Sequence, residues 1–214
     1  MIRLDDLQYQ DLMLYQDTEL GCFSEDAVLL SNFLRLNAKD KAVDLGSGNG
    51  IIAILGQAKT GASFTGVEQQ PEQCALARQS ALRNKQAISF YCMDVQQAPE
   101  SLGFGTFTAA TANPPYFADK GSCLDAARAM ARHQEKNTLG IFFHAAFQLL
   151  KNGGKLFVCY PADQLVDLMT ALRLERLEPK RIKLVLPDAS GVPQRVLIEA
   201  KKDGKPGLRW EADA

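Results

Sequence analysis

The stretch Ala42-Val43-Asp44-Leu45-Gly46-Ser47-Gly48-Asn49-Gly50-Ile51-Ile52 decides the fold of this chain. Its first four residues form a short strand of the buried type, and the apolar residues from Ile51 onward open a helix, so the glycines occupy the turn between them. A nicotinamide-binding fingerprint spaces its glycines as G-x-G-x-x-G, whereas here they stand at 46, 48 and 50. Glycines let the backbone approach a ligand closely and adopt positive φ values. The stretch therefore predicts a ligand-binding turn for a molecule that lacks a pyrophosphate.

The segments on both sides of this turn alternate between strand-like and helix-like patterns. Beyond 42–45, strands are predicted over 63–68, 88–93, 107–112, 155–160, 181–186 and 195–200. Residues 1–20 alternate weakly and are predicted to form a hairpin, after which Ser24 caps a helix. This order indicates an α/β fold: a mostly parallel, seven-stranded sheet with helices on both faces and a C-terminal antiparallel strand pair. We expect one domain over 1–214, with the hairpin and first helix at 1–38 and the core at 39–214.

Composition argues against several classes of protein. With 46% hydrophobic residues the chain can form a full core, and no apolar run approaches the roughly 20 residues of a membrane span. Residues 1–20 carry five acids and no apolar stretch, which argues against a signal peptide. The five cysteines are scattered without a Cys-x-x-Cys pair, so neither a zinc site nor a disulfide framework is expected. These features predict a cytoplasmic protein that needs no metal, no membrane and no obligate protein partner.

Charge is unevenly distributed although the net charge is only −1. Segment 1–30 has one basic and seven acidic residues, whereas segment 173–209 has ten basic and five acidic residues, which gives −6 and +5. A basic segment can bind phosphate groups, and Lys180, Arg181 and Lys183 lie within it. A solvated surface is the alternative interpretation of the same charges.

Unusual polar residues come at the predicted carboxyl ends of the strands. Asp44 precedes the glycine turn, Glu68 ends the second core strand, Asp94 follows the third, and Asn113 follows the fourth. In open parallel sheets, ligands bind beyond the carboxyl ends of the strands, where the strand order reverses. We therefore expect these residues to share one site.

The pattern D-x-G-x-G-x-G over 44–50 resembles the first motif of class I methyltransferases, which implies S-adenosylmethionine as cofactor and S-adenosylhomocysteine as product. Asp44 could accept a hydrogen bond from the cofactor ammonium, Glu68 from both ribose hydroxyls, and Asp94 from the adenine amine. For each acid alone, a helix cap or a turn is the alternative. The expected cofactor contacts also include Gly46, Ser47, Gly48, Gly50, Gln69, Val95 and Asn113.

The tetrapeptide Asn113-Pro114-Pro115-Tyr116 suits transfer of a methyl group to a planar nitrogen. An amino group conjugated to a purine is a poor nucleophile, because its lone pair is delocalised into the ring. The Asn113 side-chain oxygen and the Pro114 carbonyl could accept both of its N–H bonds, and Pro115 restricts Pro114 to extended geometry. Tyr116 could stack on the base. An ordinary turn after a strand is the alternative interpretation.

Five segments together resemble the bacterial tRNA (adenine-N6)-methyltransferases, which modify an adenine beside the anticodon of a valine tRNA; they are 23–30, 44–52, 113–117, 131–133 and 178–182. The resemblance implies a Rossmann-like class I methyltransferase fold and tRNA as the partner. It also implies that Phe23 and Asp26 line the cofactor pocket and that Arg132 and His133 face the substrate entrance. Gln134 departs from the family, which favours Glu after Arg-His.

Three other functions compete with this interpretation. The enzymes that methylate a glutamine of translation release factors use the same tetrapeptide, but they carry a sizeable helical domain ahead of the sheet. A DNA adenine methyltransferase would need a target-recognition domain, for which 214 residues leave no room. A non-catalytic cofactor-binding partner protein would have no use for an intact Asn-Pro-Pro-Tyr.

Overall fold

The computed structural model of the protein describes residues 1–20, 25–115, 138–186 and 191–211. The strands are β1 Ile2–Asp6, β2 Met13–Asp17, β3 Lys41–Leu45, β4 Ser63–Glu68, β5 Ser89–Cys92, β6 Phe107–Ala112, β7 Leu150–Pro161, β8 Leu177–Val185, β9 Arg195–Lys202 and β10 Arg209–Trp210. The helices are α1 Glu25–Phe33, α2 Ile51–Thr60, α3 Pro71–Arg83, α4 Ala98–Leu102, α5 over 138–149 and α6 Leu165–Leu174.

The central sheet confirms the predicted α/β class. Its strand order is β10-β8-β9-β7-β6-β3-β4-β5, with β5, β4, β3, β6 and β7 parallel and β9 antiparallel to both β7 and β8. The sheet has eight strands rather than the predicted seven, because Arg209–Trp210 adds a two-residue edge strand parallel to β8. The strand order reverses between β3 and β6, so the carboxyl ends of these two strands are where a ligand site is expected.

Strand β7 begins at Leu150, ahead of the predicted start at 155. Its pairing with β6 is irregular, since Phe107 lies opposite Leu150 whereas Ala109 lies opposite Lys155. The extra residues include Gly153, whose φ of 74° is in the left-handed region that glycine adopts most easily. Residues 150–154 therefore form an irregular start to the strand.

Helices cover both faces of the sheet, and each face has its own apolar core. One core combines α1, α2 and α3 with side chains such as Phe64 and Phe157, and the other combines α4, α5 and α6 with side chains such as Val43 and Val158. Neighbouring residues of one strand thus serve opposite cores, as Phe157 and Val158 do. Burial on both sides explains the continuous apolar run over residues 156–160 of β7.

The hairpin β1–β2 packs against α3 through side chains that bind its backbone. The Asn84 side chain accepts from the Met13 N–H at 2.9 Å and donates to the Met13 carbonyl at 2.7 Å. The Ser80 hydroxyl accepts from the Tyr15 N–H at 2.9 Å. These bonds satisfy the edge of β2 that β1 does not pair, so the expected hairpin is tied to the α/β core.

Candidate active site

The glycine turn is held by backbone hydrogen bonds that bend it over the carboxyl end of β3. The N–H groups of Gly46 and Ser47 both donate to the Val67 carbonyl of β4, each at 2.9 Å. Gly50, with φ of 88°, starts helix α2, and a Cβ there would lie 2.7 Å from the Phe90 ring. At Gly48, with φ of 53°, a Cβ would meet no described atom within 4 Å. The turn is therefore closed toward the core at Gly50 and open at Gly48.

Glu68 joins the end of β4 to this turn. Its side chain is almost fully buried, with 5% exposed. One carboxylate oxygen accepts from the Gly48 N–H and the other from the Gln70 N–H, both at 2.8 Å. Each oxygen can accept a second hydrogen bond, so the carboxylate could still bind a pair of ligand hydroxyls. Glu68 thus positions the glycine turn, a contribution additional to the predicted ribose contact.

Asp44 is fully buried at the end of β3 and only half satisfied. Its Oδ1 accepts a hydrogen bond of 2.6 Å from the Thr111 hydroxyl, whereas Oδ2 has no hydrogen-bond partner among the described residues. Burial raises the pKa of Asp44 to about 7; the Thr111 hydrogen bond opposes this rise, and the charge of Glu68 adds to it. A cation placed beside Oδ2 would favour the ionised carboxylate.

Two more of the buried polar atoms that lack partners in the described part of the chain lie at the same edge of the sheet. They are the Ser47 hydroxyl and the Asn113 side-chain oxygen. Leu45 of β3 pairs with Ala112 of β6, so the residues that follow these two strands are neighbours across about 4.8 Å. Native proteins leave few such atoms unsatisfied, which indicates that a polar ligand binds here.

The tetrapeptide is described as far as its third residue. Asn113 is half-buried, Pro114 is buried and Pro115 is exposed. Tyr116 lies outside the described residues, as do five other residues on which predictions were made: Phe23, Ser24, Arg132, His133 and Gln134. Their roles stay predictions.

Asp94 and Asp26 have roles in the fold itself. Asp94 caps the short helical turn Val95–Gln97, since its Oδ1 accepts from the Gln96 N–H at 2.8 Å. Val95 is buried in the core. Asp26 forms an ion pair of 2.8 Å with Arg195, which ties α1 to β9. These contacts leave the predicted cofactor roles of the three residues as predictions.

Arg181 requires a correction. Its side chain is buried, with 8% of the residue exposed. Nε donates to Glu199 at 2.9 Å, Nη1 to Glu211 at 2.5 Å and Nη2 to the Phe33 carbonyl at 2.7 Å, and the guanidinium lies 3.6 Å from the centre of the Phe33 ring. Every nitrogen is used inside the protein, so Arg181 is a structural residue and the prediction that it binds phosphate was wrong. Lys180 and Lys183 are only half-buried.

Two residues of the site were not identified from the sequence. Thr111 stands opposite Asp44 in the pairing of β6 with β3, so the strand register could have revealed it as the partner of that acid. Phe142 of α5 lies against the turn, with a ring carbon 3.0 Å from where a Cβ of Gly46 would be. No sequence signal pointed to Phe142, because its helix is far along the chain from the turn.

Metal and membrane sites were also sought in the described residues. These residues contain no group of three or more His, Cys, Asp or Glu side chains that could hold a metal ion. Within the same ranges, no helix has the length and apolar character needed to cross a bilayer.

Comparison with known proteins links this geometry to a family. The model of the methyltransferase small domain matches residues 18–173. A curated protein of Parabacteroides distasonis is 26% identical over 196 residues, which cover 90% of this chain and 81% of that protein. A protein of Yersinia enterocolitica is 30% identical over 178 residues, covering 81% and 70%. Both are named tRNA1(Val) (adenine(37)-N6)-methyltransferase.

Solved structures agree on the fold. A predicted O-methyltransferase of Agrobacterium tumefaciens superposes with a TM-score of 0.69 at 20% identity, covering 87% of this chain and 85% of its own. A 16S rRNA N2 G1207 methyltransferase of T. thermophilus, solved with AdoMet and guanosine, has a TM-score of 0.65 at 16% identity, covering 94% of this chain and 50% of its own. The architecture is therefore the Rossmann-like fold of S-adenosylmethionine-dependent methyltransferases.

Proposed function

This chain belongs to the methyltransferase small domain family and is an S-adenosylmethionine-dependent methyltransferase; from that premise we propose that it methylates the exocyclic N6 amine of an adenine in RNA, in the anticodon loop of a tRNA. The observation that carries the proposal is the buried side-chain oxygen of Asn113 beside the glycine turn, which has no hydrogen-bond partner among the described residues. The names of the curated relatives, which match over most of the chain, support RNA as the substrate.

The residues at the carboxyl edge fit the cofactor. Asp44 Oδ2, which has no partner in the part of the chain that the structure describes, can accept from an ammonium. The second acceptor site of each Glu68 oxygen can take a ribose hydroxyl, and the open side of Gly48 leaves room for a ligand. Helix α5 closes the other side of the turn with Phe142. When bound, S-adenosylmethionine supplies a methyl group on a positively charged sulfonium.

Asn113 and Pro114 activate the acceptor amine by accepting hydrogen bonds from its two N–H groups. With both N–H bonds engaged, one by the Asn113 oxygen and one by the Pro114 carbonyl, the nitrogen lone pair is drawn out of conjugation and becomes nucleophilic. Pro115 restricts the backbone of Pro114, so its carbonyl direction is set before the substrate arrives. No strong base is needed, because the amine proton can leave to water after methylation.

An anticodon loop suits this site because its bases are already single-stranded. Placing one base in the pocket then costs less than the few kcal/mol needed to extrude a base from a duplex. Lys183 is well placed for a neighbouring phosphate. In the register of the sheet, Lys183 lies opposite Leu197, and Leu197 lies opposite Cys159. Cys159 directly follows the residue that lies opposite Ala112. Lys183 is thus level with Asn113 across three strand spacings, about 14 Å.

Substrate-resolved labelling tests the proposal. The protein is incubated with methyl-labelled S-adenosylmethionine and, separately, total tRNA, duplex DNA or a release factor, and the tRNA is digested to nucleosides. We expect label in tRNA that migrates as N6-methyladenosine. Label in the release factor instead would identify a glutamine methyltransferase. No label in any acceptor, with S-adenosylhomocysteine still bound, would indicate a non-catalytic partner protein.

A further inference from the structure

Trp210 is the only tryptophan of the chain, and its side chain is largely in solvent. It belongs to the edge strand β10, pairs with Ile182 of β8 and has 64% of its surface exposed. A buried tryptophan ring stabilises a fold strongly. Because this ring is exposed, it does not stabilise the core and can contact a partner.

Two basic residues close to Trp210 differ from the paired arginines of the C-terminal part. Arg173 pairs with Glu178 and Arg176 pairs with Asp203. By contrast, Lys180 and Lys205 make no ion pair within the described ranges.

Lys180 is held near the ring. Its ammonium donates to the Lys205 carbonyl at 2.9 Å and lies 3.5 Å from where a Cβ of Gly207 would be. Residues 205–207 lead directly into β10, so Lys180 is held beside the start of the strand that carries Trp210. The remaining donor capacity of the ammonium is available for a phosphate.

The strand register places Trp210 level with the active site. Ile182, the partner of Trp210, lies opposite Ile198, and Ile198 lies opposite Val158. Val158 in turn lies opposite Ala112, the residue before Asn113. Four strand spacings separate β10 from β6, about 19 Å along the sheet. A few nucleotides of single-stranded RNA can span this distance from a base bound at Asn113.

We propose that Trp210, with Lys180 and Lys205, forms an RNA-binding surface on which a base flanking the target stacks while the two cations bind its phosphates. The inference rests on the proposed function and adds a second contact to it. One exposed ring near cations that make no ion pair within the described ranges matches the aromatic and basic composition of single-strand binding sites. A protein-docking surface would instead present a contiguous apolar patch.

Because no other tryptophan is present, intrinsic fluorescence reports directly on this ring. The protein with bound S-adenosylhomocysteine is titrated with an RNA stem-loop that carries the anticodon loop of a valine tRNA. We expect saturable quenching with the same Kd as fluorescence anisotropy of the labelled RNA. S-adenosylhomocysteine alone should leave the emission unchanged. Equal quenching by duplex DNA would overturn the proposal, because its bases are not free to stack.

Substitutions separate stacking from charge. Trp210→Ala should weaken RNA binding about tenfold, whereas Trp210→Phe keeps most of the affinity. Phe104→Ala is the matched control, because Phe104 is equally exposed, at 63%, in the turn before β6. Replacing Lys180 and Lys205 by Gln should lower the slope of log Kd against log salt by about 1 for each residue.

The outcomes also separate this inference from the proposed function. If the RNA is methylated normally while Trp210 emission stays unchanged and Trp210→Ala binds as tightly as Phe104→Ala, the surface is not used and only this inference falls. If the wild-type protein binds S-adenosylhomocysteine but neither binds nor methylates RNA, both fall.

Discussion

The carboxyl edge of β3, β4 and β6 differs from the C-terminal strands β8 and β9 in whether its buried polar atoms have hydrogen-bond partners. At the edge, three buried polar atoms have no partner among the described residues; they belong to Asp44, Ser47 and Asn113. In the C-terminal strands, the buried guanidinium of Arg181 is matched by Glu199, Glu211 and a backbone carbonyl. Buried polar atoms without a protein partner indicate a site where a ligand supplies the hydrogen bonds. Buried polar atoms with protein partners indicate a structural role.

The difference has an energetic basis. A buried donor or acceptor without a partner costs about 1–3 kcal/mol, so the edge lowers the stability of the ligand-free protein. Ligand binding raises the free energy of unfolding again by mass action, because the ligand binds the folded state only. A buried charge must be compensated within the chain, which explains why Arg181 is surrounded by acceptors.

Removing Asn113 should have the largest effect. Asn113→Ala removes one of the two acceptors for the amine, and loss of one preorganised group of this kind costs about 100- to 1000-fold in turnover. The dissociation constant for S-adenosylhomocysteine should change by less than about threefold, because the Asp44 and Glu68 contacts remain. Labelled-methyl turnover and calorimetry measure the two quantities.

Asn84→Ala is the matched control for this prediction. Asn84 is also a partly buried side-chain amide, but it bonds the hairpin backbone at Met13. Its loss should lower the melting temperature and leave turnover per folded molecule unchanged. Equal turnover in the Asn113 and Asn84 variants would end the acceptor mechanism.

Removing Arg181 should affect stability rather than catalysis. Arg181→Met leaves Glu199 and Glu211 without their shared cation and should lower the free energy of unfolding by about 3 kcal/mol. Denaturant unfolding measures this loss, and the S-adenosylhomocysteine affinity of the folded variant should match wild type. Lys205→Met, an exposed change in the same part of the protein, should shift stability by less than about 0.5 kcal/mol. A fully stable Arg181→Met protein with weakened RNA binding would restore the phosphate role rejected above.

The pH dependence of cofactor affinity should show the smallest effect. Asp44 binds an ammonium only when ionised, and its pKa in the free protein is about 7. Affinity for S-adenosylhomocysteine is then full above this pH and falls by up to about tenfold per unit below it. Thr111→Val removes a hydrogen bond that lowers the pKa of Asp44, so the decline should begin at higher pH, whereas Thr111→Ser should restore it. Affinity that is constant from pH 5.5 to 8.5 would rule out Asp44 as the ammonium contact.

The same titration acts on the ligand-free fold with the opposite sign. The folded pKa of Asp44 lies above its ordinary value of 3.8, so the folded state binds the proton more tightly than the unfolded state does. Its contribution to stability is therefore fully present below about pH 4 and is lost as pH rises through about 7. Denaturant midpoints of the cofactor-free protein at pH 6 and 8 test this together with the affinity profile.

Local patterns predicted most of the fold and the strand ends at which the candidate site lies. The glycine turn at 46–50 and the strands ending near Glu68 and Asn113 could be read from the sequence, because chain reversal and strand burial depend on neighbouring residues. The basic count of the C-terminal segment was less informative. Whether Arg181 is a surface cation or a buried one depends on Phe33 and Glu211, which lie 148 and 30 residues away along the chain.

From the order of its residues alone, the chain specifies an α/β sheet, a glycine turn without pyrophosphate spacing, and an Asn-Pro-Pro sequence at a strand end. These are local properties, set by backbone conformations and by periodic burial. Packing alone determines that Thr111 holds Asp44, that Phe142 closes the turn, and that Arg181 is enclosed while Trp210 is exposed. Such contacts join residues from different elements, so they exist only once the sheet brings those elements together.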